Sequence, residues 1–187
     1  MSAALGVIYE QLGSLNVTIS PQGAVDAGAQ WKRVGTLTWL DSGSTETNIP
    51  VGPHTVEFKA VTGWTAPDPA GVTISSGVTT TVSRTYVQLV GTLVVDPGPD
   101  TINAPWTLTG PYGYSRSGTG DATIMNLPIG EYTLTWGDVT GWAKPSSSTV
   151  TQTVTTSGTI TFSGTYIQDG MFYIIPNRNG GGAVIYL

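Results

Sequence analysis

"VGPHTVEFKAVTGW" at 51–64 lies without a gap over "IGEYTLTWGDVTGW" at 129–142, an offset of 78 residues. Upstream, "GSLNV" (13–17) meets "GTLVV" (91–95) at the same offset. Downstream, "TYVQ" (85–88) meets "TYIQ" (165–168) at 80, and Trp31 pairs with Trp106 at 75. Self-similarity at a fixed long period marks a repeated structural unit, and small length changes between landmarks are what surface loops absorb. The chain therefore reads as a tandem pair, roughly 13–88 and 91–168.

Inside each unit the apolar period is 2. Leu15, Val17 and Ile19 alternate with Asn16 and Thr18. His54, Val56 and Phe58 alternate with Thr55, Glu57 and Lys59, and Tyr132, Leu134 and Trp136 alternate with Glu131, Thr133 and Thr135. This is the pattern of half-buried antiparallel strands. Pro50–Gly52, Pro128–Gly130 and the two Thr-Gly-Trp triplets (62–64, 140–142) punctuate them as turns. The expected fold class is all-β: two tandem Ig-like or transthyretin-like β-sandwich repeats with extra terminal strands.

Composition agrees. Of 187 residues, 39% are hydrophobic and 10% charged, with 25 Gly and 12 Pro, so the chain is neither disordered in type nor helix-prone. Seven Lys+Arg against twelve Asp+Glu give a net charge of −5 and no basic patch for phosphate, which argues against nucleic acid. No apolar run reaches membrane-spanning length, so no membrane insertion is expected. The start, MSAALGVIYEQLG, lacks a basic region and an apolar core of signal length. Cysteine is absent, which rules out disulfides and thiolate metal sites.

Strand–Ser20–Pro21, then Ile49-Pro50-Val51-Gly52-Pro53-His54-Thr55-Val56 or Leu127-Pro128-Ile129-Gly130-Glu131-Tyr132-Thr133-Leu134, then Val-Thr-Gly-Trp, resembles the PEGA-type repeat of bacterial surface proteins. It is also similar to the prealbumin-like modules of Gram-positive pilins and adhesins. The likeness covers both repeats, although the PEGA tetrapeptide itself is missing. It implies an extracellular or cell-surface spacer, adhesin or fibre module, and it brings no catalytic residue with it.

The residues support no chemistry of their own. His54 is the single histidine, on the inward parity of a strand where Tyr132 stands in the second repeat, so packing or a turn hydrogen bond is expected of it. Without a second His or a ligand-spaced acid cluster there is no transition-metal site, and no G-x-S-x-G elbow accompanies it. A glycosidase needs only two carboxylates, but the acids here are dispersed through the loops of a duplicated module. The expectation is a non-enzyme with no cofactor. "DPGPD" (96–100) reads as a turn rather than a Ca²⁺ loop, since it lacks alternating acidic ligands. Among six tryptophans, Trp64 and Trp142 recur at one module position, which suggests packing. Trp39 and Trp136, with Tyr112 and Tyr114, are the candidates for an aromatic platform contacting surface glycans.

The ends extend the repeat. "VIYEQLGSL" (7–15) aligns with "RTYVQLVGTL" (84–93) and "GTYIQDGMF" (164–172), each a final strand ending in Tyr-x-Gln and leading into a first strand. Residues 1–12 thus read as the orphan last strand of a repeat. They are followed by repeats 13–88 and 89–168 and a C-terminal β-hairpin, 169–187, built from "GMFYIIP", a Gly-rich turn and "AVIYL". Val7, Ile8 and Tyr9, Met171, Phe172, Tyr173, Ile174 and Ile175, and Ala183, Val184, Ile185, Tyr186 and Leu187 are apolar on both strand faces. Such strands expect burial on both sides and are templates for pairing when left at an edge. Three accounts compete: packing within one chain, pairing of one chain's tail with the next chain's head, or excision from a longer array. The second is the preferred expectation, a homopolymer formed head to tail by terminal strand exchange, as a ring or a filament. The alternative is a carbohydrate-binding or adhesive module of a larger surface protein.

Overall fold

The computed structural model describes residues 11–170 and, beyond them, the short strands Ile174–Ile175 and Val184–Ile185. The chain divides into two compact units between Leu89 and Val90. Each is an Ig-like β-sandwich, and the two have the same topology strand for strand.

In the first unit a lead strand, Leu12–Ser20, lies between Thr45–Pro50, antiparallel, and a return strand, Thr79–Thr85, parallel. The opposing sheet runs Leu40–Asp41, Gln30–Arg33, Gly52–Phe58, Ala70–Ile74, antiparallel throughout. In the second unit the lead strand Val90–Gly98 lies between Ala122–Pro128 and the return strand Thr159–Thr165. Its opposing sheet is Ser115–Thr119, Pro105–Thr109, Gly130–Trp136, Thr149–Val154. Both lead strands end at a cis X-Pro bond, Ser20–Pro21 and Gly98–Pro99, from which each chain crosses to the other sheet.

The alternation read in the sequence is the burial pattern. Leu15, Val17 and Ile19 face inward with Trp31, Ile49, Val56 and Ile74 to form the first core. Leu93, Val95, Trp106, Leu108, Tyr132, Leu134, Trp136 and Phe162 form the second. Each core is anchored by a tryptophan whose indole N–H donates to a carbonyl: Trp31 to Asp41 at 3.1 Å and Trp106 to Gly120 at 2.9 Å. Burying an indole costs little once its one polar atom is paired.

The final strand of each repeat differs from the expected one. The return strand stops at Thr85 or Thr165, and Tyr86 and Tyr166 turn the chain. Each tyrosine is buried, and its hydroxyl donates to a backbone carbonyl, Lys59 or Gly137, at 2.7 Å. The two residues after it form a separate strand against the Thr-Gly-Trp turn: Val87–Gln88 on Trp64–Thr65, and Ile167–Gln168 on Trp142–Ala143. The tyrosine's bulk and its hydrogen bond fix a corner that a uniform alternation pattern does not announce.

Burial raises the pKa of Tyr86 and Tyr166. It pushes Tyr132 up to about 12, with the phenols of Tyr114 and Tyr112 adding to the effect. The folded-state value of Tyr132 lies above the ordinary phenol value near 10, so the fold holds the neutral form. That stabilisation is complete below pH of about 10 and is lost as pH rises through about 12. Ultraviolet titration of the eight tyrosines should show a late fraction that ionises together with loss of the β-sheet circular dichroism signal. Ionisation of all of them in one step near pH 10, with the fold intact, would contradict the buried placement.

Candidate assembly surfaces

The corner tyrosines set the geometry of each unit's trailing end. The Tyr86 N–H donates to Ser20 O at 2.8 Å and the Tyr166 N–H to Gly98 O at 2.7 Å, which closes the parallel ladder at the end of each lead strand. The joint that follows is held to the Thr-Gly-Trp turn, Leu89 N–H on Gly63 O at 2.9 Å and Asp169 N–H on Gly141 O at 2.8 Å. Trp64 and Trp142 are half-buried beneath these joints and pack on the two cores. Tyr-x-Gln is therefore an edge segment that takes its backbone partners from a turn.

Of the terminal residues predicted to form an interface, Val7, Ile8, Tyr9, Met171, Phe172, Tyr173, Ala183, Tyr186 and Leu187 lie outside the described residues. Ile174–Ile175 and Val184–Ile185 pair antiparallel, Ile174 opposite Ile185 and Ile175 opposite Val184.

The sandwiches also present strand edges. The Thr45–Pro50 and Ala122–Pro128 strands are irregular, with a register shift opposite Gly13–Leu15 and Gly91–Leu93 and positive φ at Asn48 (59°) and Asn126 (58°). Bulges of this kind spoil an edge for further pairing. The return strands Thr79–Thr85 and Thr159–Thr165 are regular over 7 residues, and among the described residues each has a ladder partner on one side alone.

Two of the candidate platform rings in the second unit are engaged in packing. Trp136 corrects the sequence expectation: it is 1% exposed and belongs to the second core. Its indole occupies space left by Gly164, where an added Cβ would come within 2.6 Å of the ring. The first repeat has Phe58 and Arg84 at these two places. Trp39, in the first unit, is half-buried with the Lys32 ammonium 4.9 Å from its ring centroid. Tyr114 packs edge-on against Tyr132 at 5.8 Å, so among the four only Tyr112, 66% exposed, presents an open ring. A shallow groove of about 490 Å³ on the second unit is lined chiefly by Pro105, Thr107, Ser117, Thr119 and Thr135, with the buried Trp106 and Trp136 also contributing to its lining.

Polar side chains serve the frame. His54 donates within its own turn, Nε2–H to Pro50 O at 2.8 Å, as the Tyr132 hydroxyl donates to Pro128 O at 2.9 Å in the second unit. Arg33 holds Glu46 through two bonds, 2.7 and 2.9 Å, and this partner raises the guanidinium pKa against the opposing effect of burial. Among the described residues, no three His, Asp or Glu side chains gather as a metal-binding group.

No protein-family model and no curated protein matches the chain. Solved structures do. The Bacillus anthracis TIE protein matches with a TM-score of 0.56 and 18% identity over 84% of this chain and 34% of that one. The pilus adhesin SpaC of Lactobacillus rhamnosus GG (TM-score 0.46, 8% identity, 88% of this chain and 32% of that chain) and the Streptococcus agalactiae minor pilin GBS52 (TM-score 0.37, 10%, 89% and 100%) are similar at a coarser level. The chain spans about a third of the length of the Bacillus anthracis protein. At this identity the likeness establishes the tandem β-sandwich fold.

Proposed function

We propose that this chain is a non-enzymatic structural protein of a bacterial cell surface, and that copies of it join head to tail through their terminal β-strands. The observation that carries the reading is the tail pair Ile174–Ile175 and Val184–Ile185, a ladder of two residue pairs made of β-branched apolar residues. A lone two-stranded hairpin is marginal in water, and an apolar one gains stability from a further strand and a covering face. The segment Val7-Ile8-Tyr9 supplies such a strand by its pattern, the same Tyr-bearing pattern that pairs with a neighbouring turn at 86–88 and 166–168. Backbone bonds would give generic affinity and the alternate side chains would set register. A cell-surface location is supported by the low charge and Thr-rich composition, which suit an extracellular spacer or fibre, and by the resemblance of the repeat motif to modules of bacterial surface proteins.

Sedimentation velocity of the full chain across a range of concentrations tests this. Association that grows with concentration and disappears on removal of residues 183–187 is the expected result. A chain that stays monomeric throughout, with the truncation changing nothing, overturns the reading.

A further inference from the structure

Hydrogen bonds to the lead strand show which backbone groups of each return strand face outward. Ser14 N–H donates to Val78 O at 3.0 Å and Tyr86 N–H to Ser20 O at 2.8 Å, so the even-numbered residues of Thr79–Thr85 face the lead strand. Neighbouring residues of a strand turn their N–H and C=O to opposite sides, so those of Thr79, Thr81, Ser83 and Thr85 point out of the sheet edge. Thr92 N–H on Gly158 O and Tyr166 N–H on Gly98 O, at 2.8 and 2.7 Å, fix the same phase in the second unit, where Thr159, Thr161, Ser163 and Thr165 point out. The two strands, TTTVSRT and TITFSGT, are rich in β-formers, lack proline and carry a single charge between them. Such segments at an open edge are templates for pairing with another chain.

Each edge carries a side-chain donor on one of its outward carbonyls. In the first unit Arg84 Nη1 donates to Ser83 O at 2.8 Å. In the second, Gln152 Nε2, on the edge strand of the opposing sheet, donates to Thr161 O at 2.7 Å. Because these carbonyls point out of the edge, a donor on them stands where the N–H of a further strand would have to come. Repetition of the fold did not carry these donors along: Gly164 stands at the place of Arg84, and Val72 at the place of Gln152. Each repeat has its own residue on its own edge carbonyl. Both residues sit on the inward parity, Arg84 beside Ile19 and Gln152 beside Tyr132, and inward-set polar groups are a device by which sheets keep an edge from pairing.

We infer that the return-strand edge of each unit is a pairing surface for the same edge of a second copy, held closed by Arg84 and Gln152. A second copy is the occupant because the edge is its own complement: two such rows of N–H and C=O groups, set antiparallel, satisfy each other without further demands on sequence. Little charge opposes that pairing, since Arg84 is the one ionisable side chain on either return strand. The inference holds whether or not the termini pair. Where they do, closure of the long regular edges keeps them from competing with the terminal strands.

The test uses the full chain. Gln152→Val installs the residue that the first repeat has at this place, and Arg84→Thr removes the other donor while keeping a β-former. In sedimentation velocity, each variant and the two combined are expected to self-associate more readily than the unaltered chain. The combined variant should do so at about a tenth of the concentration, the scale of one net hydrogen bond. Hydrogen exchange should find the amides of Thr81, Ser83, Thr161 and Ser163 protected in the associated species and unprotected in the unaltered chain, which separates edge pairing from pairing of the termini. Gln152→Glu controls for loosened packing: it also loses the donor but sets a charge on the edge, and should not increase association. The inference is overturned if the combined variant associates no more readily than the unaltered chain, or if Gln152→Glu associates as strongly as Gln152→Val. It is equally overturned if the four amides are already protected in the unaltered chain or stay unprotected in the associated species.

Discussion

Trp106→Ala should lower the stability of the second unit by about 3–5 kcal/mol, the usual cost of deleting a large buried aromatic. The ring is 3% exposed and lies in one cross-strand row with Gly118 and Trp136. An added Cβ at Gly118 would strike its six-membered ring, so the indole sits flush on the neighbouring strand and no side chain stands ready to fill the space it leaves. The substitution also strips the Gly120 carbonyl of its donor, and an unpaired buried acceptor adds about 1–3 kcal/mol in its own right. Both losses fall on a single domain whose whole margin is of order 5–15 kcal/mol. Urea unfolding followed by circular dichroism reads the change. A shift below about 1 kcal/mol would mean that Trp106 is not the keystone of that core.

The second large effect is expected at Gly91, whose counterpart in the first repeat is Gly13. An alanine Cβ at 91 would meet Thr155 O at 2.5 Å, Val154 Cγ1 at 2.6 Å and Gly158 O at 2.8 Å. At Gly13 it would meet Ser75 O, Ile74 Cγ2 at 2.7 Å and Val78 O at 3.0 Å. Two of the three neighbours in each set are backbone carbonyls of a turn that bonds back to the lead strand, Thr92 N–H to Gly158 O at 2.8 Å and Ser14 N–H to Val78 O at 3.0 Å. The side chain therefore cannot be accommodated by a rotamer change. It must displace the turn and stretch those bonds. Gly91→Ala should cost about 3 kcal/mol, the upper end for overpacking, and Gly13→Ala a similar amount in the first unit. Wild-type denaturation midpoints for both variants would show that the turns can retreat freely.

Much of this architecture is legible in the sequence because alternation reports the face of a strand directly. Leu15-Val17-Ile19 and Tyr132-Leu134-Trp136 name core residues before any coordinates, and the offset of 78 ties the two cores together. The same parity already placed Trp136 inward. The asymmetry of Trp136 between the repeats has a packing cause: Gly164 leaves room for its indole, where the first repeat carries Arg84 and Phe58 at the two positions. Such a compensating pair is invisible without knowing that the two strands meet. The corner at Tyr86 and Tyr166 was hidden for a related reason. Its hydrogen bond goes to Lys59 or Gly137, 27 or 29 residues away, and local pattern carries no trace of it.

Head-to-tail pairing of the termini is tested most directly by cross-linking, which the absence of cysteine makes clean. Chains carrying Ile8→Cys are mixed with chains carrying either Ile174→Cys or Ile185→Cys, so that both edges of the tail pair are sampled, and then oxidised under dilute conditions. The account predicts mixed head–tail dimers well above the level given by a control cysteine at Thr47. It also predicts ladders of higher species when Ile8→Cys and Ile185→Cys or Ile174→Cys are combined in one chain. Mixed dimers at the control level, with the doubly substituted chain closing only on itself as a monomer, would contradict it.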